Sequence, residues 1–408
     1  YASLYRIIGR CNFYLDQVDK LRESLTDDED IQYLDYYTGE VYCARALAYS
    51  ELLKCFCKAY DPATAENELG VVLADTYFGE KPAKRATLKD SYAFVIDDLK
   101  KAQELLDEEN DGYDAPYFTK AAAHAIHARI ALYMQDWDAA IEYSSKVIDH
   151  KNREYSLSSA NTAYTSSMTY FDYMWQYDLA TEIIWRVGFT TTSYGGALGQ
   201  HFLNFNNDYT YYYPDYVPAQ WVLNLYAASD MRYSSYFAEF TSGYDHNLTW
   251  PLLVKYYGNQ DFISSALIYH VSMPKPFRLA EQYLIRAEAY CRCATPNFSA
   301  ASKDLSTLRE SRFASGGSIS VNEGNYLQTI SDERVRELFM EGFRLNDLKR
   351  WGTLYNNGEG FTRTPQSNSL EEGSSLHITA DNPLFVWPIP QHEIEAPGSE
   401  VEPNESNK

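Results

Sequence analysis

Residues of the types that do chemistry gather in four places along the 408-residue chain. Glu337 and Glu341 are four apart in a helical pattern, which puts both carboxylates on one face, as paired acid–base work on a glycoside would need. Arg334 and Arg344 flank them, so the same spacing suits a structural ion network. His124 and His127 lie three apart on a helix, but spacing implies no third metal ligand, and they read as polar groups satisfied between helices. The acidic run TDDED, residues 26–30, lacks the ligand spacing and glycine of an EF-hand and reads as a solvated loop. The tract NFNNDYTYYYPDY, residues 204–216, sets aromatic planes beside amides and a carboxylate. Sugar rings have apolar C–H faces and hydroxyl rims, and this mixture matches both; a peptide can use the same groups through its backbone.

Other catalytic signatures are missing: there is no G-x-S-x-G, H-E-x-x-H, Walker A or Rossmann glycine pattern. The six cysteines are too few for a disulfide scaffold. Cys55/Cys57 and Cys291/Cys293 fall in helical patterns, where residues two apart point to different faces, so neither pair chelates alone. A Cys11–Cys43 bridge is compatible with the sequence. No catalytic residue, metal ligand or cofactor is assigned. The net charge of −22, without a basic run, excludes an electrostatic footprint on nucleic acid and disfavours anionic lipid. No stretch approaches eighteen apolar residues. The opening YASLYRIIGRCNFYLDQVDK reads as the inside of a helix and predicts a trimmed N-terminus.

The elements that must position these groups are mostly helices. Residues 1–60 read as two long helices, the second carrying Tyr42, Ala46, Tyr49, Leu53 and Phe56 on one face. TLKD at 87–90 resembles a capping box and opens a helix to about Leu106. A helix from Thr119 to about Met134 meets another capped by Asp136, with Ala128, Ala131, Ala139 and Ala140 near the crossing, the mark of a tetratricopeptide-like hairpin. A second copy spans 277–312, with Leu284, Ala287 and Ala300 facing the partner helix and Glu288–Arg292 as an exposed ion pair. Between them, residues 151–276 lose helical periodicity, and 27 of the 106 residues from Tyr155 to Gln260 are aromatic. TEIIWRV at 181–187 and PLLVKYY at 251–257 read as short strands. A polar loop follows DLKRWG, and LFVWPIP at 384–390 reads as a closing strand. The expected divisions are 1–150 helical hairpins, 151–276 aromatic insertion, 277–352 C-terminal hairpin and signature helix, and 353–408 loop and tail.

Three segments resemble the SusD/RagB family of Bacteroidetes outer-membrane nutrient-binding lipoproteins: LAEQYLIRAEAY at 279–290, SDERVRELFMEGFRLNDLKRWG at 331–352 and NPLFVWPIPQHEI at 382–394. GRCN at 9–12, ARALAYSELLKCF at 44–56 and VPAQWVLNLYAASDMR at 217–232 also fit. The resemblance implies a mainly α fold, tetratricopeptide-like helical hairpins packed against an irregular domain with short β-strands. It implies that Glu333, Arg334, Glu337, Glu341, Arg344, Asp347, Arg350 and Trp351 are scaffold. It also implies a cell-surface protein of the outer membrane, anchored through a lipidated cysteine that does not lie among these residues, since Cys11 sits in a helix. The implied function is non-catalytic glycan capture for a TonB-dependent SusC-like transporter, which the protein caps like a lid. Alternatives are an oligopeptide-binding RagB-like importer component, a polysaccharide hydrolase, and a pure interaction scaffold. The ligand face is expected in the aromatic insertion: Trp175, Tyr194, Tyr211, Tyr213 and Trp250 as stacking surfaces, with Asn204, Asn206, Asn207 and Asp208 as hydrogen-bond partners. Trp221 is set aside as packing.

Overall fold

The computed structural model describes residues 1–77, 83–151, 154–358, 361–362 and 377–408. Most of the polar loop expected after DLKRWG therefore lies outside the described residues. Fifteen α-helices and five two-stranded antiparallel pairs occur among those described, a mainly α fold. They form two compact units, one of residues 1–111, 118–147 and 342–408, the other of 112–117 and 148–341. The division differs from the four segments expected: the aromatic insertion shares a unit with 277–341, and the helix Arg344–Trp351 belongs with the N-terminal helices.

In the first unit, α1 (Ala2–Ser24) and α2 (Asp28–Phe56) are the two long helices expected over residues 1–60. The acidic run is less loop than start signal. Asp27 accepts the backbone N–H of Glu29 at 2.9 Å, and Asp28, Glu29 and Asp30 sit in the first turn, where negative charge opposes the helix dipole. Thr87 caps α3 (Leu88–Leu105) by accepting from Asp90 N–H at 3.0 Å, as TLKD predicts. Three helices are tied by a buried pair: Arg45 of α2 grips Asp98 of α3 through two 2.7 Å bonds and reaches Asn12 of α1 at 2.7 Å. α4 (Lys120–Met134) and α5 (Trp137–Ile148) make the expected hairpin. Gln135 turns the chain at φ 60°, Asp136 caps Ala139, and His127 stacks on Tyr143 at 3.6 Å. Burial pushes the His127 imidazole down to about 3, so it is a neutral packing group. Cys11 and Cys43 are both free thiols. LFVWPIP forms no strand; Pro383–Phe385 is a 3-10 turn, and the prolines at 383, 388 and 390 lack the donors a ladder needs.

In the second unit, the hairpin Leu279–Arg292 and Phe298–Glu310 buries Leu284, Ala287 and Ala301, while Ala300 is half-buried. Glu288 and Arg292 do pair at 3.2 Å, but Glu288 is buried rather than exposed. Ile183–Trp185 pairs with Phe277–Arg278, and Phe237–Thr241 pairs with Thr249–Leu253 with Phe240 opposite Trp250. The strands are short, so regular ladders cannot supply the core, and large rings fill it instead. Phe171, Met174, Trp175, Phe202, Tyr212, Tyr236, Phe237 and Tyr256 form one buried cluster.

Candidate functional site

The carboxylate pair is settled by its partners. Glu337 accepts from Arg232, Arg278 and Arg312 at 2.9–3.0 Å, and Glu341 from Arg278 and Lys255 at 2.6–3.0 Å. These cations come from 25 to 105 residues away in the chain. Glu182 bonds Arg278 and Arg312 from the other side. Burial alone would raise the Glu337 carboxyl, but the surrounding guanidiniums hold it well below the usual carboxylate range, and Glu341 is lowered likewise. A glycoside general acid needs a raised pKa, and the partners of this pair shift it the opposite way. The signature carboxylates Glu333, Glu337 and Glu341 are scaffold. Tyr236 and Trp175 pack on the same charges, Lys255 Nζ lying 4.1 Å from the Trp175 ring centroid and 4.4 Å from that of Tyr236.

That placement corrects one site expectation. Trp175 is only 4% exposed, its ring occupied by Lys255, Lys275 and Arg278, and it offers no face for stacking on a sugar chain. Trp250 is half-buried against the same cluster, and its indole N–H is spent on the carbonyl of Pro218 at 3.1 Å, so it supports more than it presents.

The Tyr211–Tyr213 triplet behaves differently. Tyr212 N–H donates to Thr241 O at 3.1 Å, and Gly243 N–H donates to Tyr212 O at 2.7 Å, which docks the loop on the hairpin Phe237–Leu253. The Tyr212 ring turns inward and stacks on Phe240 at 4.1 Å. Side chains alternate along extended backbone, so Tyr211 and Tyr213 turn the other way. Tyr211 stacks on His246 at 3.9 Å and 9°, and Tyr213 meets Tyr244 edge-on at 5.4 Å. Tyr244, 70% exposed, and His246 both come from the hairpin turn. Gly243 lets Tyr213 lie flat across that turn, since a Cβ there would fall 2.2 Å from the ring. The result is an outward face of two tyrosine–aromatic pairs on an anchored loop.

The polar partners divide by what holds them. Asn206 Oδ1 accepts from Thr210 N–H at 2.9 Å and Tyr211 N–H at 3.0 Å, so it shapes the loop. Asn204 accepts the Tyr213 N–H through its backbone and is half-buried. Asp208 accepts weakly from Thr210, while Asn207 is exposed with no partner among the described residues. Tyr194 is exposed near the turn Thr190–Ser193 and has no ring contact with this face among the described residues. Tyr209, whose hydroxyl donates to that of Tyr269 at 3.3 Å, was not singled out by sequence, nor were Tyr244 and His246. The signal for the last two was available in TSGYDHNLT, aromatic and amide groups between two strand-like runs. Trp221, set aside as packing, is 45% exposed.

Residues 231–401 match the family model described as SusD family, and residues 1–132 match one described as starch-binding associating with outer membrane. The chain belongs to the SusD/RagB family. A SusD-like protein of Formosa agariphila is 23% identical over 389 residues, 87% of this chain and 70% of its own length. A SusD superfamily protein from Bacteroides thetaiotaomicron superposes with a TM-score of 0.78 at 23% identity, covering 99% of this chain and 84% of that one. A SusD-like carbohydrate binding protein from Bacteroides vulgatus does so with a TM-score of 0.72 at 20% identity, covering 97% and 82%. The SusD-like fold is thus shared across nearly the whole chain, with tetratricopeptide-like hairpins where sequence expects them. No helix among the described residues is long and apolar enough to cross a membrane.

Proposed function

We propose that this SusD-family chain is a non-catalytic glycan-binding protein of the outer-membrane surface, lipid-anchored, that delivers oligosaccharide to a partner TonB-dependent SusC-like transporter. The observation that carries this reading is the outward tyrosine face, in which Tyr211–His246 and Tyr213–Tyr244 are held by the inward anchor of Tyr212. Aromatic planes fixed before the ligand arrives lose little entropy on binding, and Asn207 with Asp208 supplies adjacent hydrogen-bonding groups. The carbohydrate-binding description of a structural relative and the starch-binding description of one matched family model support a sugar rather than a peptide. The Glu337–Glu341 network, with its carboxyls kept charged and paired, supports binding without hydrolysis. The test is a glycan and peptide array on the purified chain, repeated with Tyr211→Ala/Tyr244→Ala. Glycans retained by the parent and lost by the double variant, with an unchanged melting temperature, are the expected result. Retention of peptides alone, or release of shortened sugar products, would overturn it. Co-purification from mildly solubilised native membranes tests the transporter partner.

A further inference from the structure

The second unit contains a cavity of about 240 Å³ that shares no lining residue with the tyrosine face. Asp172, Trp175 and Gln176 of the helix Tyr170–Tyr177 line one side of it, with Ser234, Ser235 and Gln260 among the remaining lining residues. The side-chain amides of Gln176 and Gln260 have no hydrogen-bond partner among the described residues, although both are half-buried. Trp175 Nε1, fully covered, is likewise unpartnered. Asp172 spends one carboxylate oxygen on Thr169, and the other has no partner among the described residues. Ser234 donates its hydroxyl to Met231 O at 2.9 Å, which leaves its oxygen able to accept. Unlike the indole N–H, the two amides and the second Asp172 oxygen open to solvent, so the cavity presents polar groups free to bond a ligand.

We infer that this cavity is a second sugar subsite, which takes a single neutral sugar residue through Gln176, Gln260, Asp172 and Ser234; the inference rests on the glycan-binding reading above. Size favours one ring, because the volume lies below the roughly 300–1,000 Å³ of sites for drug-sized ligands. Amides both donate and accept, hydroxyls do the same, and vicinal sugar hydroxyls need such mixed partners. Charge excludes an acidic sugar. Lys255 also lines the cavity, but its amine is fully covered and committed to Glu341 and Phe339 O, so no cation is offered to the ligand. The charge left open is the Asp172 carboxylate, which repels an anion.

The experiment is saturation-transfer NMR on the full chain with methyl glucoside, N-acetylglucosamine and glucuronate as probes. Transfer to the two neutral sugars and none to glucuronate is expected. Gln176→Ala/Gln260→Ala should weaken neutral-monomer binding about tenfold or more, since each amide loses at least one bond to the ring. Its melting temperature should not move, because neither amide supports the fold. Absence of neutral-monomer binding, equal binding of glucuronate, or parent-like affinity in the double variant would each overturn the inference. If array glycans still bind through the tyrosines in such a case, the proposed function stands without the cavity. If no glycan of any length binds, both readings fall.

Discussion

Gly243→Ala tests the tyrosine face without removing any of its rings. The new Cβ would stand 2.2 Å from Tyr213 Cε1 and Cζ, against an ordinary contact of about 3.5–4.0 Å, so the ring must retreat by roughly 1.5 Å. Backbone strain is not the issue, because Gly243 lies outside the left-handed region. Its N–H keeps the 2.7 Å bond to Tyr212 O, and the hairpin register survives. Tyr213 is half-buried and free to swing outward, so the stability loss should stay under about 1 kcal/mol, less than ~4 °C in melting temperature. Its edge contact with Tyr244 would be broken, and two rings would then leave their binding positions. At about 0.5–1.5 kcal/mol for each aromatic contact, the affinity loss is ~1–3 kcal/mol, or roughly 5- to 150-fold. Isothermal titration with an array-selected oligosaccharide measures it, with Tyr213→Ala as companion. Full affinity in Gly243→Ala alongside weak binding in Tyr213→Ala would refute the geometric argument. Full affinity in both would remove Tyr213 from the site.

Glu337→Gln should destabilise the second unit by about 3–5 kcal/mol in chemical denaturation, because three buried guanidiniums lose their shared charge; a change below 1 kcal/mol would contradict the network. Burial would raise Glu333, but Arg232, Arg336 and Arg309 bring it down from 4.5 to about 2. Its contribution, roughly 3 kcal/mol, is therefore complete above the unfolded value and lost as pH falls from 4.5 towards 2. Thermal melts across that window should decline in the parent and be flatter in Glu333→Gln. In the first unit, Asn404 Nδ2 donates to Phe56 O and Trp387 O at 2.9 Å, while its Oδ1 accepts from Arg85 at 2.8 Å. Asn404→Ala should cost about 2–4 kcal/mol and speed amide exchange in the C-terminal segment. With Asp208, Asp215 and Asp245 near the tyrosine face and −22 overall, binding of sulfated or uronate-rich glycans should strengthen with added salt, whereas neutral-glycan affinity should hardly change.

The helical frame was legible because its signals are local. Thr87, Thr119 and Asp136 each accept a backbone N–H at a helix start, and the apolar faces of α2 and α3 recur at helical spacing, whereas the cap at Asp27 was hidden in a run that reads as loop. The ion network was legible only by half. Helical spacing puts Glu337 and Glu341 on one face, but nothing local points to Arg232, Arg278 and Arg312, which tertiary structure brings in. For the same reason Glu288–Arg292 was expected outside: a four-residue spacing fixes the pair and says nothing of what covers it. The tail misled through composition, since LFVWPIP is apolar enough for a strand while its prolines deny it the ladder.

Aromatic density was the least reliable guide, because a ring that binds ligand and a ring that fills a core have the same one-letter code. Trp175 and Tyr212 lie inside, Trp250 half inside, and Trp221 outside. What separates them is register. Once Tyr212 is docked on Thr241, the pleat sends Tyr211 and Tyr213 outward, and the turn that accepts them must supply their neighbours. Its residues are therefore constrained twice, with Gly243 needed for clearance and Tyr244 and His246 for contact. The proposed ligand face is built from two segments some thirty residues apart, of which only the tract 204–216 reads as a candidate from sequence. The amides of Gln176 and Gln260 follow the same logic, since their helices meet at one opening only in the folded unit, and there both line the same polar cavity.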